Sequence, residues 1–168
     1  MPHILSGDEI SLFIKQVENF DSGQQIQPAG YDVTLAKVFA HSKTKYTLGV
    51  QKTDNSKLEE LTPDKEGYFD LADGVYLVVL NEITTIPIDA IGLLLPRSTL
   101  LRNGIDVRTA LFDPGYSGQP SVMLVCHRPL RIERFSRIGQ LVMVKSDKEF
   151  SKQYNGRYQG EGAAGKKN

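Results

Sequence analysis

Beyond its N-terminal segment the chain is written as short apolar stretches, each closed off by glycine, proline or serine. "YDVTL", "GVYLVV", "IDVRTALF", "SVMLVCH", "LRIERF" and "GQLVMVKS" follow a spacing of roughly 8–12 residues. Many short strands with little helix predict an all-β fold, a barrel or double-sheet jelly roll.

Two helices are predicted beside the strands. Ser6 and Glu9 have capping-box spacing, and Ile10, Phe13, Ile14 and Val17 recur at helical intervals, fading by Asp21–Gly23. "RSTLLRNG" is the one short internal helix, which Ser98 or Thr99 could cap and Asn103-Gly104 would end. A Pro-Ala-Gly turn leads into a strand carrying Tyr31, Val33 and Leu35, and the polar run from Ala40 to Glu66 reads as a hairpin or loop excursion. "GYFDLADGVYLVVLNEITTIP" gives two strand-like pieces, with Asp73-Gly74 as a turn and Pro87 as a stop. Residues 1–150 read as a single β domain. Residues 151–168 lose hydrophobic periodicity and read as a tail, whose Tyr154, Tyr158 and Arg157 would suit a flap that orders over a ligand.

At 168 residues the chain fits one domain. Lys+Arg and Asp+Glu balance at 20 each, unlike a basic nucleic-acid platform, so no nucleic-acid partner is expected. Cys126 is the only cysteine, which excludes an internal disulfide or a multi-cysteine zinc site and suits a reducing compartment. No apolar run reaches the ~18 residues of a membrane span. "MPHILSGDEI" has no basic start or long apolar core, so the expected location is the cytoplasm.

Several chemistries drop out. The three histidines, His3, His41 and His127, have no metal-ligand spacing, and the zinc deaminase signature is absent. There is no nucleophile elbow, P-loop or dinucleotide fingerprint. His127 reads as an ordinary strand residue and Cys126 as a small core residue. Two clusters remain. In Pro96–Gly104, Arg97 and Arg102 flank Ser98 and Thr99 at a helix start, a pattern that fits either a phosphate site or a capped helix with solvated arginines. In Asp113-Pro114-Gly115-Tyr116-Ser117-Gly118, turn chemistry carries a carboxylate and an aromatic ring.

Taken together, "QPAGYDVTL", "PRSTLLRNG", "TALFDPGYSG", "RIGQL" and "YNGRYQG" resemble, in order and spacing, the dCTP deaminase and dUTP diphosphatase superfamily. The likeness runs from about residue 27 to 161 and is nearest the archaeal dUTPase branch. It implies a distorted β-jelly roll, assembled as a homotrimer with active sites at subunit interfaces. It also implies that Arg97, Ser98, Thr99 and Arg102 grip a triphosphate, and that the backbone of Thr109, Ala110, Leu111 and Phe112 reads the pyrimidine edge. Asp113 takes the place of the carboxylate near the deoxyribose and the catalytic water. Tyr116 takes that of the ring packed on the sugar, Gln140 that of a nucleotide-contacting glutamine, and Tyr154, Arg157 and Gln159 those of the closing tail. Mg²⁺ is the implied cofactor, bound through substrate phosphates with no direct protein ligand.

The chain departs from the family pattern in the tail, where Arg157 replaces the more usual lysine and Glu161 a frequent glutamine, and more deeply at Met123. Deaminating members carry a glutamate ten residues after the aspartate of the Asp-Pro-Gly block. Here that residue is Met123, with Val122, Leu124 and Val125 around it. A thioether cannot move protons, and general acid–base help is worth ~10²–10⁴-fold. The expected activity is therefore dUTP diphosphatase, yielding dUMP and pyrophosphate. The rivals are dCTP deaminase, alone or bifunctional, and a jelly-roll protein that binds nucleotide without turnover.

Overall fold

The computed structural model describes residues 1–19, 23–50, 53–54 and 57–161. The predicted fading of the first helix at 20–22, parts of the polar excursion (51–52, 55–56) and the end of the tail, 162–168, lie outside the described residues. The N-terminal segment gives β1 (His3–Ile4), α1 (Gly7–Ser11), β2 (Ile14–Gln16), β3 (Ile26–Gln27) and the long β4 (Gly30–His41). The polar excursion holds β5 (Thr47–Leu48), β6 (Thr53–Asp54) and β7 (Leu58–Leu61). β8 (Tyr68–Leu71), β9 (Gly74–Leu80), β10 (Glu82–Thr85) and β11 (Ala90–Pro96) then lead to α2 (Ser98–Arg102). The order closes with β12 (Ile105–Arg108), β13 (Ser117–Gly118), β14 (Ser121–Cys126), β15 (Leu130–Glu133) and β16 (Arg137–Lys145).

The all-β jelly-roll expectation is borne out. The main sheet runs β1-β16-β4-β9-β14-β12, with β11 joined to β16 and with β3 and β7 joined to β4. Its pairings are antiparallel, and smaller sheets β13-β10-β2 and β15-β8 pack beside it. β4 is the hinge of this arrangement. Its first half pairs with β16 and its second half with β9, and the register shifts between Leu35 and Lys37. Because both halves are covered, β4 is buried without interruption over residues 30–36 and includes Asp32 and Thr34. Ile10, Leu35, Val38, Leu80, Leu124 and Ile138 form the centre of the core. Cys126 lies in this core as expected, whereas His127 sits just past the end of β14 and is exposed. Among the described residues no helix is long and apolar enough to cross a membrane.

Three local expectations are corrected. The capping box forms at Ser6 and Glu9, but the helix stops at Ser11. Ile14–Gln16 instead pairs with Thr84–Glu82 of β10, and Val17 donates its N–H to the Asn81 carbonyl at 2.8 Å, so tertiary ladder bonds override the helical spacing. At α2 the capping position is Arg97, with no side-chain cap, and neither Ser98 nor Thr99 fills it. The "GYFDL…TTIP" stretch makes three strands, because β8 pairs with β15 while β9 and β10 enter different sheets.

Candidate active site

Asp113–Tyr116 closes a tight turn in which the Tyr116 N–H reaches the Asp113 carbonyl at 3.1 Å. Pro114 supplies the fixed φ of the second position and Gly115, at φ 78°, the left-handed third position, which is the pattern of a type II turn. Backbone bonds fix both flanks. Phe112 exchanges both of its hydrogen bonds with Gly92 of β11, at 2.9 and 3.0 Å, and Gly115 and Tyr116 bond Ile86 on either side. Asp113 is exposed on this rigid turn, and no described residue hydrogen-bonds or ion-pairs with its carboxylate. Of the base-edge segment, Ala110 and Leu111 are exposed, Thr109 is half-buried and Phe112 is buried. These residues run as an extended connection beyond β12 rather than as part of a strand.

Tyr116 is buried, its ring 5.9 Å from that of Phe112 and 5.6 Å, edge-on, from that of Tyr154. Burial pushes its hydroxyl well above the usual phenol range, with Glu161 and Tyr154 adding to the shift. The tail docks along the same turn. Tyr154 donates to the Pro114 carbonyl at 2.7 Å, Gly160 to Ser117 at 2.7 Å, and Gln119 to the Glu161 carbonyl at 2.8 Å. The Gln159 amide spans the turn, donating to the Gly115 carbonyl at 3.0 Å and accepting from the Ser117 N–H at 3.1 Å. Arg157 is exposed, with its guanidinium 6.0 Å from the Tyr158 ring. Glu161 is half-buried, and desolvation raises its pKa against the opposing pull of Arg157.

The second predicted cluster lies elsewhere on the chain. Arg97 Nε is 3.3 Å from Asp32 Oδ2, and Arg137 Nη1 is 3.2 Å from the same oxygen. Burial raises the Asp32 pKa, while Arg97 and Arg137 oppose that shift. Arg137 is also held by Gln24, through the carbonyl at 2.8 Å and the side-chain oxygen at 3.0 Å. Ser98, Thr99 and Arg102 are exposed on α2, and Arg97 and Thr99 open into a cleft of about 560 Å³ that Arg131, Arg134 and Arg137 also line. At five residues α2 is too short for a large helix dipole, so the positive potential here comes from the guanidinium groups. Gln140 lies on β16 between Leu95 of β11 and Asp32 of β4.

One chain keeps the two clusters apart. Asp113 follows Phe112, the residue bridged to Gly92, whereas Arg97 lies past the far end of β11, five residues on from Gly92, about 16 Å at strand rise. Met123 lies on the outward face of β14, directly between Leu77 of β9 and Arg108 of β12, with Phe39 of β4 next in the row. The one acid nearby on β12, Asp106, is ion-paired with Arg108 at 2.8 Å. Sequence reasoning gave no role to Asp32, Arg137 or Glu82. Asp32 and Arg137 stood inside the quoted blocks "QPAGYDVTL" and "RIGQL", where their mutual pairing had no local signal. Among the described residues no group of three or more His, Cys, Asp or Glu side chains is placed to hold a metal.

A model of the family described as dCTP deaminase-like matches residues 4–146. A probable deoxyuridine 5'-triphosphate nucleotidohydrolase of Methanosarcina mazei is 36% identical over 172 residues, covering 94% of this chain and 97% of the relative. The deoxyuridine 5'-triphosphate nucleotidohydrolase of Methanocaldococcus jannaschii is 32% identical over 143 residues, covering 82% of this chain and 88% of the relative. Among solved structures, the 2'-deoxycytidine 5'-triphosphate deaminase of Agrobacterium tumefaciens superposes with a TM-score of 0.66 at 23% identity. That match covers 86% of this chain and 48% of the deaminase chain, and it supports the fold alone. A family model spanning most of the chain and archaeal relatives matched along nearly their whole length lead to one conclusion: the chain belongs to the dCTP deaminase-like family.

Proposed function

We propose that the protein is a dUTP diphosphatase, hydrolysing dUTP to dUMP and pyrophosphate. The observation that carries the reading is the contrast between Asp113, an unpaired carboxylate on a rigid turn, and Met123, an apolar side chain where deamination requires a proton carrier. The archaeal relatives that match most of the chain carry the dUTP nucleotidohydrolase name, which agrees with it. Asp113 orients a water and takes its proton as the oxygen attacks the α-phosphate, and pyrophosphate leaves with the electrons of the broken phosphoanhydride bond. Arg97, Arg102, Ser98 and Thr99 hold the phosphate chain, with Arg137 beside them.

Tyr116 offers the sugar a flat ring, which Phe112 and Tyr154 hold in place. Thr109, Ala110, Leu111 and Phe112 present main-chain groups to the base, Gln140 contacts the nucleotide, and Tyr154, Arg157 and Gln159 close over it. A Mg²⁺ would be bound through substrate phosphates and water, the mode this ion usually takes beside a phosphate chain. When bound, the ion would offset phosphate charge.

The working unit is a homotrimer with its sites between subunits. Two features support this assembly: the placement of Arg97 beyond the far end of β11 from the Gly92–Phe112 bridge that precedes Asp113, and the apolar outward face around Leu77, Met123 and Val125. Asp113→Asn tests the chemical assignment. Turnover is expected to fall by ~10²–10⁴-fold, while the non-hydrolysable analogue dUpNHpp binds within a few fold of wild type. Full activity in this variant would remove Asp113 from the mechanism.

A further inference from the structure

Behind the arginine cluster lies a buried polar chain that the catalytic assignment does not use. Glu82 on β10 is fully buried, and Thr34 is buried beside it. The Glu82 carboxylate accepts three hydrogen bonds: from the Thr34 N–H at 3.0 Å, the Thr34 hydroxyl at 2.8 Å and the Gln25 amide at 2.9 Å. Among the described residues no Arg or Lys ion-pairs with it, so these bonds orient its neighbours rather than pair charge.

Gln25 is the next link, and its amide has one possible sense. Its nitrogen faces two acceptors, the Asp32 carbonyl and the Glu82 carboxylate, so its oxygen is the atom turned to the Gln16 amide, at 2.5 Å. That nitrogen also donates to the Asp32 carbonyl at 3.0 Å, and the Asp32 N–H donates to the Gln25 carbonyl at 2.7 Å. Gln25 therefore grips Asp32 through both of its main-chain polar groups. The Asp32 carboxylate then holds Arg97 and Arg137, and Gln24, the neighbour of Gln25, holds Arg137 from the other side. A buried acceptor that fixes an amide, which fixes a main-chain pair, gives two flexible arginines one address.

We propose that Glu82 and Gln25 are positioning residues for the phosphate grip, setting Asp32 and Gln24 so that Arg97 and Arg137 stand ready before the nucleotide arrives. Preorganised arginines lose less rotamer freedom on binding, so the effect falls on affinity for the phosphate chain rather than on the chemical step. The inference rests on the assignment of Arg97 to the phosphates.

The test measures binding of inorganic pyrophosphate to the full-length protein by calorimetry at 25 °C, together with KM, kcat and Tm. The variants are Glu82→Gln, Gln25→Met and Arg97→Ala. Either orientation of the new amide in Glu82→Gln sets an N–H₂ group against a donor, and Gln25→Met keeps volume while deleting the link, so one can report if the other fails to fold. The expected result is pyrophosphate affinity and dUTP KM each weakened about tenfold in both relay variants, with kcat within about twofold of wild type. A lowered Tm with unchanged pyrophosphate affinity and KM at 25 °C would mean a purely structural role and overturns the proposal. If Arg97→Ala leaves pyrophosphate affinity intact, the grip assignment falls and takes this inference with it. If Arg97→Ala weakens it and the relay variants do not, only the relay is wrong.

Discussion

An aspartate that opens a turn usually spends its carboxylate on a backbone N–H two residues on. Asp113 does not: the turn closes through main-chain bonds, and proline and glycine set its angles, so the side chain is left for chemistry. That much was legible, because Asp-Pro-Gly-Tyr is a local signal. Asp32 and Glu82 were not, since a single carboxylate inside a strand is indistinguishable by sequence from a solvated one until its neighbours across the sheet are known. Gly118 makes a residue-scale test of the docked tail. A Cβ there would lie 2.9 Å from the Tyr116 hydroxyl and 3.2 Å from the Glu161 nitrogen. Gly118→Ala is expected to dislodge the tail, so that trypsin cuts after Arg157 several-fold faster and dUTP KM rises. An unchanged cleavage rate would mean that the tail does not depend on this close approach.

At the scale of elements, strand identity was read well where alternation was strong and badly where pairing partners decided. β14 and β16 follow from their own residues, whereas the end of α1 depended on β10, whose edge claims Ile14–Gln16. The same strand carries a pH signature. Burial is the main cause pushing Glu82 from the ordinary 4.5 to about 7, with the bonds from Thr34 and Gln25 opposing it. A carboxyl whose pKa is raised on folding binds its proton more tightly in the native state. Its contribution is therefore fully present below the unfolded value, is lost as pH rises towards 7, and levels off above it. The size of the loss is about 3 kcal/mol. Urea unfolding at fixed protein concentration should show stability falling from pH 5 to pH 7.5, and Glu82→Gln should flatten this slope. A wild type equally stable across that range would show that Glu82 stays ionised in the fold.

For the whole molecule, punctuation made an all-β barrel or jelly roll legible and the family resemblance narrowed it to the jelly roll, but a single sequence could not show where one chain places its Arg97 cluster relative to its own Asp113. Antiparallel register also turns the row Phe39–Leu77–Met123–Arg108 outward, a contiguity that spans four strands distant in sequence. If sites are shared between subunits, inactive Arg97→Ala and Asp113→Asn chains should complement each other. Co-assembled, they should regain activity at about a quarter of the sites on random mixing. No recovery in confirmed mixed trimers would place each site within one chain. Chelating divalent metal is expected to suppress turnover reversibly, with activity returning on adding Mg²⁺.

Which bond of a deoxypyrimidine nucleotide is cut separates the phosphohydrolase chemistry from deamination. The most direct measurement supplies purified protein with dUTP or dCTP in the presence of Mg²⁺ and identifies the products. The predicted result is dUMP and pyrophosphate from dUTP, with no ammonia from dCTP. Ammonia released from dCTP, or no pyrophosphate from dUTP, would contradict it.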